Sequence, residues 1–228
     1  MPGFIICADN VSKVYGNGDA AQYALKHVSL SVPQGEFLSI TGESGSGKST
    51  LLNMLGLLDR PTEGTILLND INTAALSPDA CAENRSRKIG FIFQAYHLEP
   101  AYTAAENIQI PLLIADVKKK LHEEMIDRAL HLVGLSHKKR AIVRNLSGGE
   151  KQRIGIARAI VTNPEIILAD EPCGNLDSDN SEKIMNLLRK LADDGKTIIL
   201  VTHNPNAARL TDRIITMRDG VIISDETQ

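Results

Sequence analysis

The feature that most constrains this chain is a glycine-rich loop between an apolar segment and a helical pattern. Residues 42–49 read Gly-Glu-Ser-Gly-Ser-Gly-Lys-Ser and match the spacing GxxxxGK[ST]. The apolar run Phe37–Thr41 before the loop predicts a strand, and the periodicity of Lys48–Leu58 after it predicts a helix. This order of strand, loop and helix predicts an α/β core with a site for phosphate groups at the loop.

The residue types of the loop indicate which ligand it binds. Its glycines allow the backbone to curve, so that N–H groups converge on phosphate oxygens, and the following helix adds the positive end of its dipole. Lys48 can reach β- and γ-phosphates, and the hydroxyl of Ser49 can bind Mg²⁺. The loop therefore predicts a site for a nucleoside triphosphate. The residues that form it are Gly42, Glu43, Ser44, Gly45, Ser46, Gly47, Lys48, Ser49 and Thr50.

A second motif is an apolar strand that ends in two carboxylates. The segment 165–169 predicts this strand, and Asp170 and Glu171 follow it. A buried parallel strand carries its last residues to the carboxyl edge of the sheet, where α/β folds bind ligands. We therefore expect Asp170 to hold Mg²⁺, directly or through water, and Glu171 to act as a general base toward a water molecule.

The rest of the chain predicts an α/β core with a helical insertion at roughly 95–160. Residues 103–136 have helical periodicity and few strand formers, and 148–161 and 178–192 predict further helices. We find neither a linker nor an internal repeat, so we expect one domain over 1–228. The remaining predicted strands are 4–14, 24–32, 64–68, 89–93, 197–201, 213–217 and 221–224, the last two forming a hairpin.

Composition and sequence patterns argue against a nucleic-acid-binding protein, a secreted protein and a membrane-spanning protein. The chain has 228 residues, a formal net charge of −3 and a pI near 6.1, so nothing attracts it generally to nucleic acid. The basic runs 118–120 and 137–140 are too short and separate for a nucleic-acid surface. Its three cysteines lack CxxC spacing, and the chain begins without a signal-peptide pattern. No apolar run approaches the ~20 residues of a membrane span, so we expect a cytoplasmic protein.

A third motif, Leu146-Ser147-Gly148-Gly149-Glu150, precedes a helical run and predicts a second anion-binding helix N-terminus. One γ-phosphate does not need two such sites, so we expect the second to serve a neighbouring chain. With this motif the sequence resembles the ATP-binding-cassette (ABC) ATPases, whose signature is LSGGE. The resemblance covers almost the whole chain. It implies a P-loop NTPase core with an N-terminal antiparallel β region and an inserted helical subdomain.

The resemblance also implies roles for four further residues. Tyr15 falls where the family places an aromatic side chain against adenine, although packing at a strand edge is the alternative. Gln94 matches the glutamine that senses Mg²⁺ and the attacking water. Residues 174–177, Gly-Asn-Leu-Asp, match the D-loop, which ends at Asp177, and His203 matches the histidine that contacts the γ-phosphate. With Lys48 and Glu171, the residues Gln94 and His203 form the expected catalytic set.

Two stretches resemble one subfamily, the ATPases of lipoprotein release, macrolide export and peptide-antibiotic resistance. Residues 103–113 match its T-x-x-E-N-[IV]-x-x-P-[LM] pattern, and 171–177 match EPTGNLD, with Cys173 replacing threonine. Val143 stands where many relatives have proline. Because Cys173 lies between Glu171 and Asp177, we also consider that an adduct on its thiol slows hydrolysis.

The resemblance implies a homodimer that sandwiches two ATP molecules, and separate integral-membrane permease subunits. The helical region and 95–98 would then form the groove for the permease, and the chain would be peripheral on the cytoplasmic face of a bacterial inner membrane. A regulatory ATPase of a cell-division complex, which signals without transport, is the alternative. A soluble ABC ATPase of DNA repair or translation would need coiled-coil arms, zinc cysteines or a second cassette, which this sequence lacks.

Overall fold

The computed structural model describes residues 3–16 and 18–228, apart from the side chain of Asp19. Within these residues the strands are β1 (Phe4–Tyr15), β2 (Gln22–Pro33), β3 (Phe37–Gly42), β4 (Glu63–Leu68), β5 (Ile71–Asn72), β6 (Ile89–Phe93), β7 (Ile166–Asp170), β8 (Thr197–Val201), β9 (Arg213–Arg218) and β10 (Val221–Thr227). The helices are α1 (Lys48–Leu55), α2 (Pro78–Lys88), α3 (Ala104–Ile114), α4 (His122–Leu132), α5 (Gly148–Ile160), α6 (Ser178–Asp193) and α7 (Pro205–Ala208).

The chain forms two compact units. The first unit contains residues 1–82 and 191–228, and the second contains 83–190. No helix among the described residues is long and apolar enough to cross a membrane.

An antiparallel sheet in the first unit has the strand order β2-β1-β4-β5. In β1, Ala8 lies opposite Leu30 of β2 on one side and Ile66 of β4 on the other, and all three are buried. The alternation of buried and exposed residues along these strands is typical of a sheet with one face on a core. This sheet is the N-terminal antiparallel region that the sequence predicted.

Parallel strands in the first unit bring the ends of three segments together. Strand β3 lies between β8 and β9 and runs parallel to both, and β10 pairs antiparallel with β9. Ile40 of β3 is opposite Val201 and Ile215, and all three are buried. Strands β3 and β8 read as nearly continuous apolar runs because neighbours bury them on both faces. The loop that follows β3 therefore leaves the same sheet edge as His203, which follows β8.

The second unit combines two parallel strands with packed helices. Strand β6 pairs with β7 from Ile89 opposite Ile166 to Phe93 opposite Asp170. Helix α5 packs on β6, and α3 and α4 pack on α5. These helices lie within the region predicted to be a helical insertion.

Three differences from the predicted elements have local causes. Helix α1 ends at Leu55, not Leu58, because Gly56 caps it and Leu57 takes a left-handed conformation with φ of 58°. The helical region 103–136 is two helices, α3 and α4, separated by residues 115–121. Helix α2 was not predicted, because it is polar on nearly all sides and buries only Cys81.

A buried asparagine ties the segment before α3 to the helix. Asn107 is fully buried, and its Nδ2 donates to the carbonyl oxygens of Glu99 (3.1 Å) and Thr103 (3.0 Å). Its Oδ1 accepts from the backbone N–H of Glu99 at 2.7 Å. One side chain therefore satisfies three backbone groups of the residues that lead into α3.

We predict that Asn107→Ala lowers the free energy of unfolding by about 2–4 kcal/mol, because each buried polar group left unpaired costs about 1–3 kcal/mol. Urea unfolding followed by circular dichroism measures the change. The control is Asn186→Ala on the exposed side of α6, for which we expect a change within about 0.5 kcal/mol. Equal effects of the two substitutions would contradict the assigned role.

Candidate active site

The phosphate loop of the first unit is shaped by close backbone contacts at both ends. Gly42 has φ of 144°, and a Cβ there would lie 2.2 Å from the carbonyl oxygen of Met217. Gly47 has φ of 99°, and a Cβ there would lie 2.5 Å from the carbonyl oxygen of Ala24. Any larger residue at either position would have to displace backbone. Gly47 also starts α1 without a side-chain cap, which leaves the polarity of the helix N-terminus to a ligand.

The hairpin turn between β9 and β10 supports the loop from outside. The backbone N–H of Gly220 donates to the carbonyl of Ser46 at 3.1 Å, and its carbonyl accepts from Lys26 at 2.8 Å. Within the loop, the N–H of Ser46 donates to the carbonyl of Glu43 at 3.2 Å. The loop is thus held by a hydrogen bond from the hairpin turn, which is itself tied to β2, and by a hydrogen bond within the loop.

The ammonium of Lys48 lies inside the loop. The residue is 8% exposed, and Nζ donates to the carbonyl oxygens of Gly42 (2.9 Å) and Glu43 (2.7 Å). It also lies 3.5 Å from the hydroxyl of Ser46. The loop therefore holds the Lys48 side chain through two of its own carbonyl oxygens.

Tyr15 ends β1 with its hydroxyl fixed and its ring half-exposed. The hydroxyl donates to Asp59 Oδ2 at 2.9 Å, and 46% of the residue is exposed. Burial and then Asp59 raise the pKa of the phenol, while a hydrogen bond with the Thr50 side chain lowers it. Thr50 belongs to α1, so Tyr15 contacts the helix that begins at the phosphate loop. Part of the residue is accessible to a ligand, and the adenine contact stays a prediction.

His203 shares a cavity with the start of the phosphate loop. The cavity has a volume of about 470 Å³. Its lining residues are Thr41, Gly42, Glu43, His203, Pro205, Ala208, Arg209 and Ile214. The structure thus brings together, within the first unit, Tyr15, the loop 42–50 and His203.

In the second unit, Gln94 and the D-loop are joined by two hydrogen bonds. Gln94 follows Phe93, which lies opposite Asp170 in the β6–β7 register. Its Nε2 donates to Asn175 Oδ1 at 3.4 Å, and Asn175 Nδ2 donates to the Gln94 carbonyl at 3.0 Å. A Cβ on Gly174 would lie 2.7 Å from Gln94 Nε2, so glycine is what allows this approach.

Glu171 has a backbone conformation unusual for a non-glycine residue. Its φ is 46°, and its carbonyl accepts from the N–H of Gly174 at 3.0 Å. Left-handed conformations of this kind cost of order 1 kcal/mol or more and cluster at functional sites. The turn from 171 to 174 therefore fixes the direction of the backbone that carries Glu171.

The signature motif begins α5 with a reciprocal cap. Ser147 Oγ accepts from the N–H of Glu150 at 3.3 Å, and Glu150 Oε2 accepts from the N–H of Ser147 at 2.9 Å. Lys138 lies 3.0 Å from Glu150 Oε1. The hydrogen bond from the Ser147 backbone, then Lys138, lowers the pKa of Glu150 to about 2. Glu150 is therefore ionised at neutral pH and holds Ser147 in place.

The glycines of the signature contact Tyr96, which lies in the segment 95–98 named above, and Asn180, which the sequence analysis did not single out. A Cβ on Gly149 would lie 2.4 Å from Asn180 Oδ1, and one on Gly148 would lie 3.2 Å from the hydroxyl of Tyr96. Asn180 Nδ2 donates to both carboxylate oxygens of Asp177, at 3.0 and 2.9 Å, and its backbone N–H donates to Oδ1 at 2.8 Å. These hydrogen bonds lower the pKa of Asp177. The signature and the D-loop therefore form one cluster.

Arg158 connects α5 to the residues after Gln94, and the sequence analysis missed it as well. Its guanidinium donates to the carbonyl oxygens of Tyr96, at 2.8 Å, and His97. Both have positive φ, 60° and 50°. The signal available in the sequence was an arginine at helical spacing after the signature, which does not indicate its target.

Comparisons with known proteins agree with this geometry. A family model described as ABC transporter matches residues 25–174. The chain is 46% identical over 222 residues to the ABC transporter ATP-binding protein YvrO of Bacillus subtilis, covering 97% of each. It is 45% identical over 216 residues to the macrolide export ATP-binding/permease protein MacB of Hyphomonas neptunium, covering 95% of this chain and 34% of MacB.

A solved structure gives the same result for the fold. The cassette MJ0796 of Methanocaldococcus jannaschii, a dimer in a post-hydrolysis state with ADP and Pi, matches with a TM-score of 0.89 and 44% identity. The match covers 97% of this chain and 98% of that one. The predicted core, with its antiparallel region and helices, is therefore confirmed.

We predict that Gly149→Ala lowers the free energy of unfolding by about 1–3 kcal/mol, because the new methyl displaces Asn180 from its hydrogen bonds to Asp177. The control is Gly155→Ala in the same helix, where a Cβ meets nothing closer than 3.9 Å. We expect that change to be neutral or stabilising by up to about 1 kcal/mol, because alanine is the better helix former. Chemical denaturation measures both. If Gly149→Ala costs as much in an Asn180→Ala background, the assigned clash is wrong.

We predict that Cys173 reacts slowly with iodoacetamide. Burial raises the pKa of its thiol to about 11, and Sγ lies 3.7 Å from the carbonyl of Ser181. Since the thiolate is the nucleophile, a shift of about two units predicts labelling about a hundredfold slower than in urea at pH 7.5. Mass spectrometry of a Cys7→Ser/Cys81→Ala variant measures the rate. Native labelling within about tenfold of the unfolded rate would restore the hypothesis of a reactive thiol.

Proposed function

The chain belongs to the ABC transporter family, and from this premise we propose that it is the subunit whose ATP hydrolysis drives a separate integral-membrane permease. It is an ABC-type ATPase. The observation that carries its nucleotide chemistry is the loop folded around the Lys48 ammonium, in a unit that also presents Tyr15 and His203. We further propose that the permease exports or extracts lipoprotein, macrolide or peptide-type substrates.

ATP binding is assigned to the first unit. The backbone of residues 42–50 and the Lys48 ammonium bind the β- and γ-phosphates, since charge-assisted hydrogen bonds to phosphate are strong. Tyr15 stacks on adenine through its exposed ring, and His203 contacts the γ-phosphate. The cavity that His203 shares with Gly42 and Glu43 supports the last assignment.

Mg²⁺ is assigned to the Ser49 hydroxyl, the Asp170 carboxylate and the amide oxygen of Gln94. This donor set fits the ion, because Mg²⁺ prefers oxygen ligands and is usually bound through one or two carboxylates together with substrate phosphates. An ion held by these residues would supply positive charge next to the phosphates.

Glu171 is assigned the proton transfer. Its carboxylate takes a proton from water as the water oxygen bonds to the γ-phosphorus, and the bond from that phosphorus to the leaving ADP oxygen breaks. Gln94 orients the attacking water, and the position of Gln94 is coupled to that of the D-loop. The mutual hydrogen bonds of Gln94 and Asn175 support this coupling.

Each chain contributes half of a composite site. Ser147, Gly148 and Gly149 of one chain, with Asp177, contact the nucleotide bound by the phosphate loop of a second copy. The cap at Ser147 uses its oxygen as an acceptor and leaves the hydroxyl proton to donate to a phosphate. The dimeric form of MJ0796 with ADP and Pi supports a homodimer here.

The surface that binds the permease is assigned to the helical region and residues 95–98. The fused permease in MacB supports a membrane partner of this kind, which would place the chain on the cytoplasmic face of the inner membrane. The regulatory role in a cell-division-type complex uses the same ATPase site. The partner distinguishes the two.

We predict that Glu171→Gln slows ATP hydrolysis by at least about a hundredfold, because a positioned general base contributes about 10²–10⁴ in rate. ATP binding survives, since the loop and Asp170 are unchanged, and the closed dimer accumulates. Size-exclusion chromatography with Mg-ATP measures the dimer.

Two variants control this experiment. Ser147→Arg added to Glu171→Gln abolishes the dimer by placing bulk at the composite site, and Lys48→Ala abolishes it by loss of ATP binding. A Glu171→Gln protein that hydrolyses ATP within about tenfold of the parent would remove Glu171 from the base role. Recovery of a permease with four spans and a large extracytoplasmic domain on the tagged variant supports transport. A cell-division membrane protein in its place would support the regulatory role.

A further inference from the structure

The carboxylate of Asp59 accepts three hydrogen bonds, two of them from side chains at the end of β1. Its Oδ1 accepts from Lys13 Nζ at 2.6 Å and from the backbone N–H of Arg60 at 2.7 Å. Its Oδ2 accepts from the hydroxyl of Tyr15 at 2.9 Å. Burial raises the pKa of Asp59, but the hydrogen bonds from Lys13, Tyr15 and Arg60 together outweigh burial and lower the pKa. The carboxylate is therefore ionised at neutral pH and has both oxygens engaged.

Lys13 is held between Asp59 and the Tyr15 ring. Its Nζ also donates to the carbonyl of Arg60 at 2.7 Å, and it lies 5.1 Å from the centroid of the ring. A cation at this distance over an aromatic face is attracted to it. The Lys13 side chain is only 12% exposed, so it is a fixed part of the structure. One face of the Tyr15 ring is thus covered by a cation, while the residue as a whole stays half-exposed.

The position of Asp59 is tied to the helix that follows the phosphate loop. Asp59 lies just after α1, and its N–H donates to the carbonyl of Asn53 at 3.3 Å. Tyr15 also contacts Thr50 in the first turn of α1. The phenol hydroxyl is therefore attached to both ends of this helix. The ring plane is defined relative to the place where the phosphates bind.

We propose that Asp59 is a positioning residue that, through the phenol hydroxyl, fixes the ring of Tyr15 for the nucleotide base without touching the nucleotide. This inference rests on the proposed function of Tyr15. A ring that is already held in place does not lose rotamer freedom on binding, a loss that weakens affinity by about two- to tenfold for one side chain. The effect is confined to ligands that carry a base.

The test is a double-mutant cycle on ligand affinity in the intact chain. Binding of ATP and of inorganic tripolyphosphate, each with Mg²⁺, is measured by titration calorimetry for the parent, Asp59→Ala, Tyr15→Phe and the double variant. We expect Asp59→Ala and Tyr15→Phe each to weaken ATP binding about three- to tenfold. The double variant should be no weaker than Tyr15→Phe, because Asp59 acts through the hydroxyl that phenylalanine lacks. Tripolyphosphate affinity should not change.

The control is Asp9→Ala, an exposed carboxylate on β1, which should leave both affinities as in the parent. Equal weakening of ATP and tripolyphosphate by Asp59→Ala would overturn the inference, since Asp59 would then act on the loop. A loss that persists in the Tyr15→Phe background would overturn it too. A parent that binds ATP no more tightly than tripolyphosphate would instead contradict the role of Tyr15 itself.

Discussion

The nucleotide site depends on backbone lying against backbone at the two ends of the phosphate loop. Gly42 touches the carbonyl of Met217 on β9, and Gly47 touches the carbonyl of Ala24 on β2. These contacts, and the hydrogen bond from Gly220 to Ser46, determine how the loop curves. The curve in turn places two carbonyl oxygens around the Lys48 ammonium. The antiparallel region and the terminal hairpin therefore act as supports for a loop that neither of them contains.

The second unit links its functional segments by a similar close approach. A side chain at position 149 would collide with the amide of Asn180, and one at position 174 would collide with the amide of Gln94. Both positions therefore require glycine. Asn180 then binds Asp177, and Asn175 binds Gln94. The signature packs against Asn180, and hydrogen bonds join Asn180 to Asp177 and the glutamine after β6 to Asn175 of the D-loop. A change at any of the three moves groups that the others need.

Much of this could be read from the sequence because the information was local. The phosphate loop, the strand before Asp170 and the signature are contiguous patterns, and the buried parallel strands appear as apolar runs. Helix α2 was missed because it has no apolar face, although Ser77, which accepts from Ala80 at 3.2 Å, and Pro78 mark its start. The end of α1 was misplaced because Leu57 is left-handed, which its residue type disfavours.

The supporting residues could not be read in the same way. Asp59 is 44 positions from Tyr15 along the chain, and Asn180 is 31 positions from Gly149, so no local pattern connects them.

The buried ammonium of Lys48 has a consequence for the stability of the fold. Its water is removed when the protein folds, and loop carbonyls take the place of that water. The free energy of dehydrating this cation is therefore a cost of folding, which the two carbonyl oxygens partly offset.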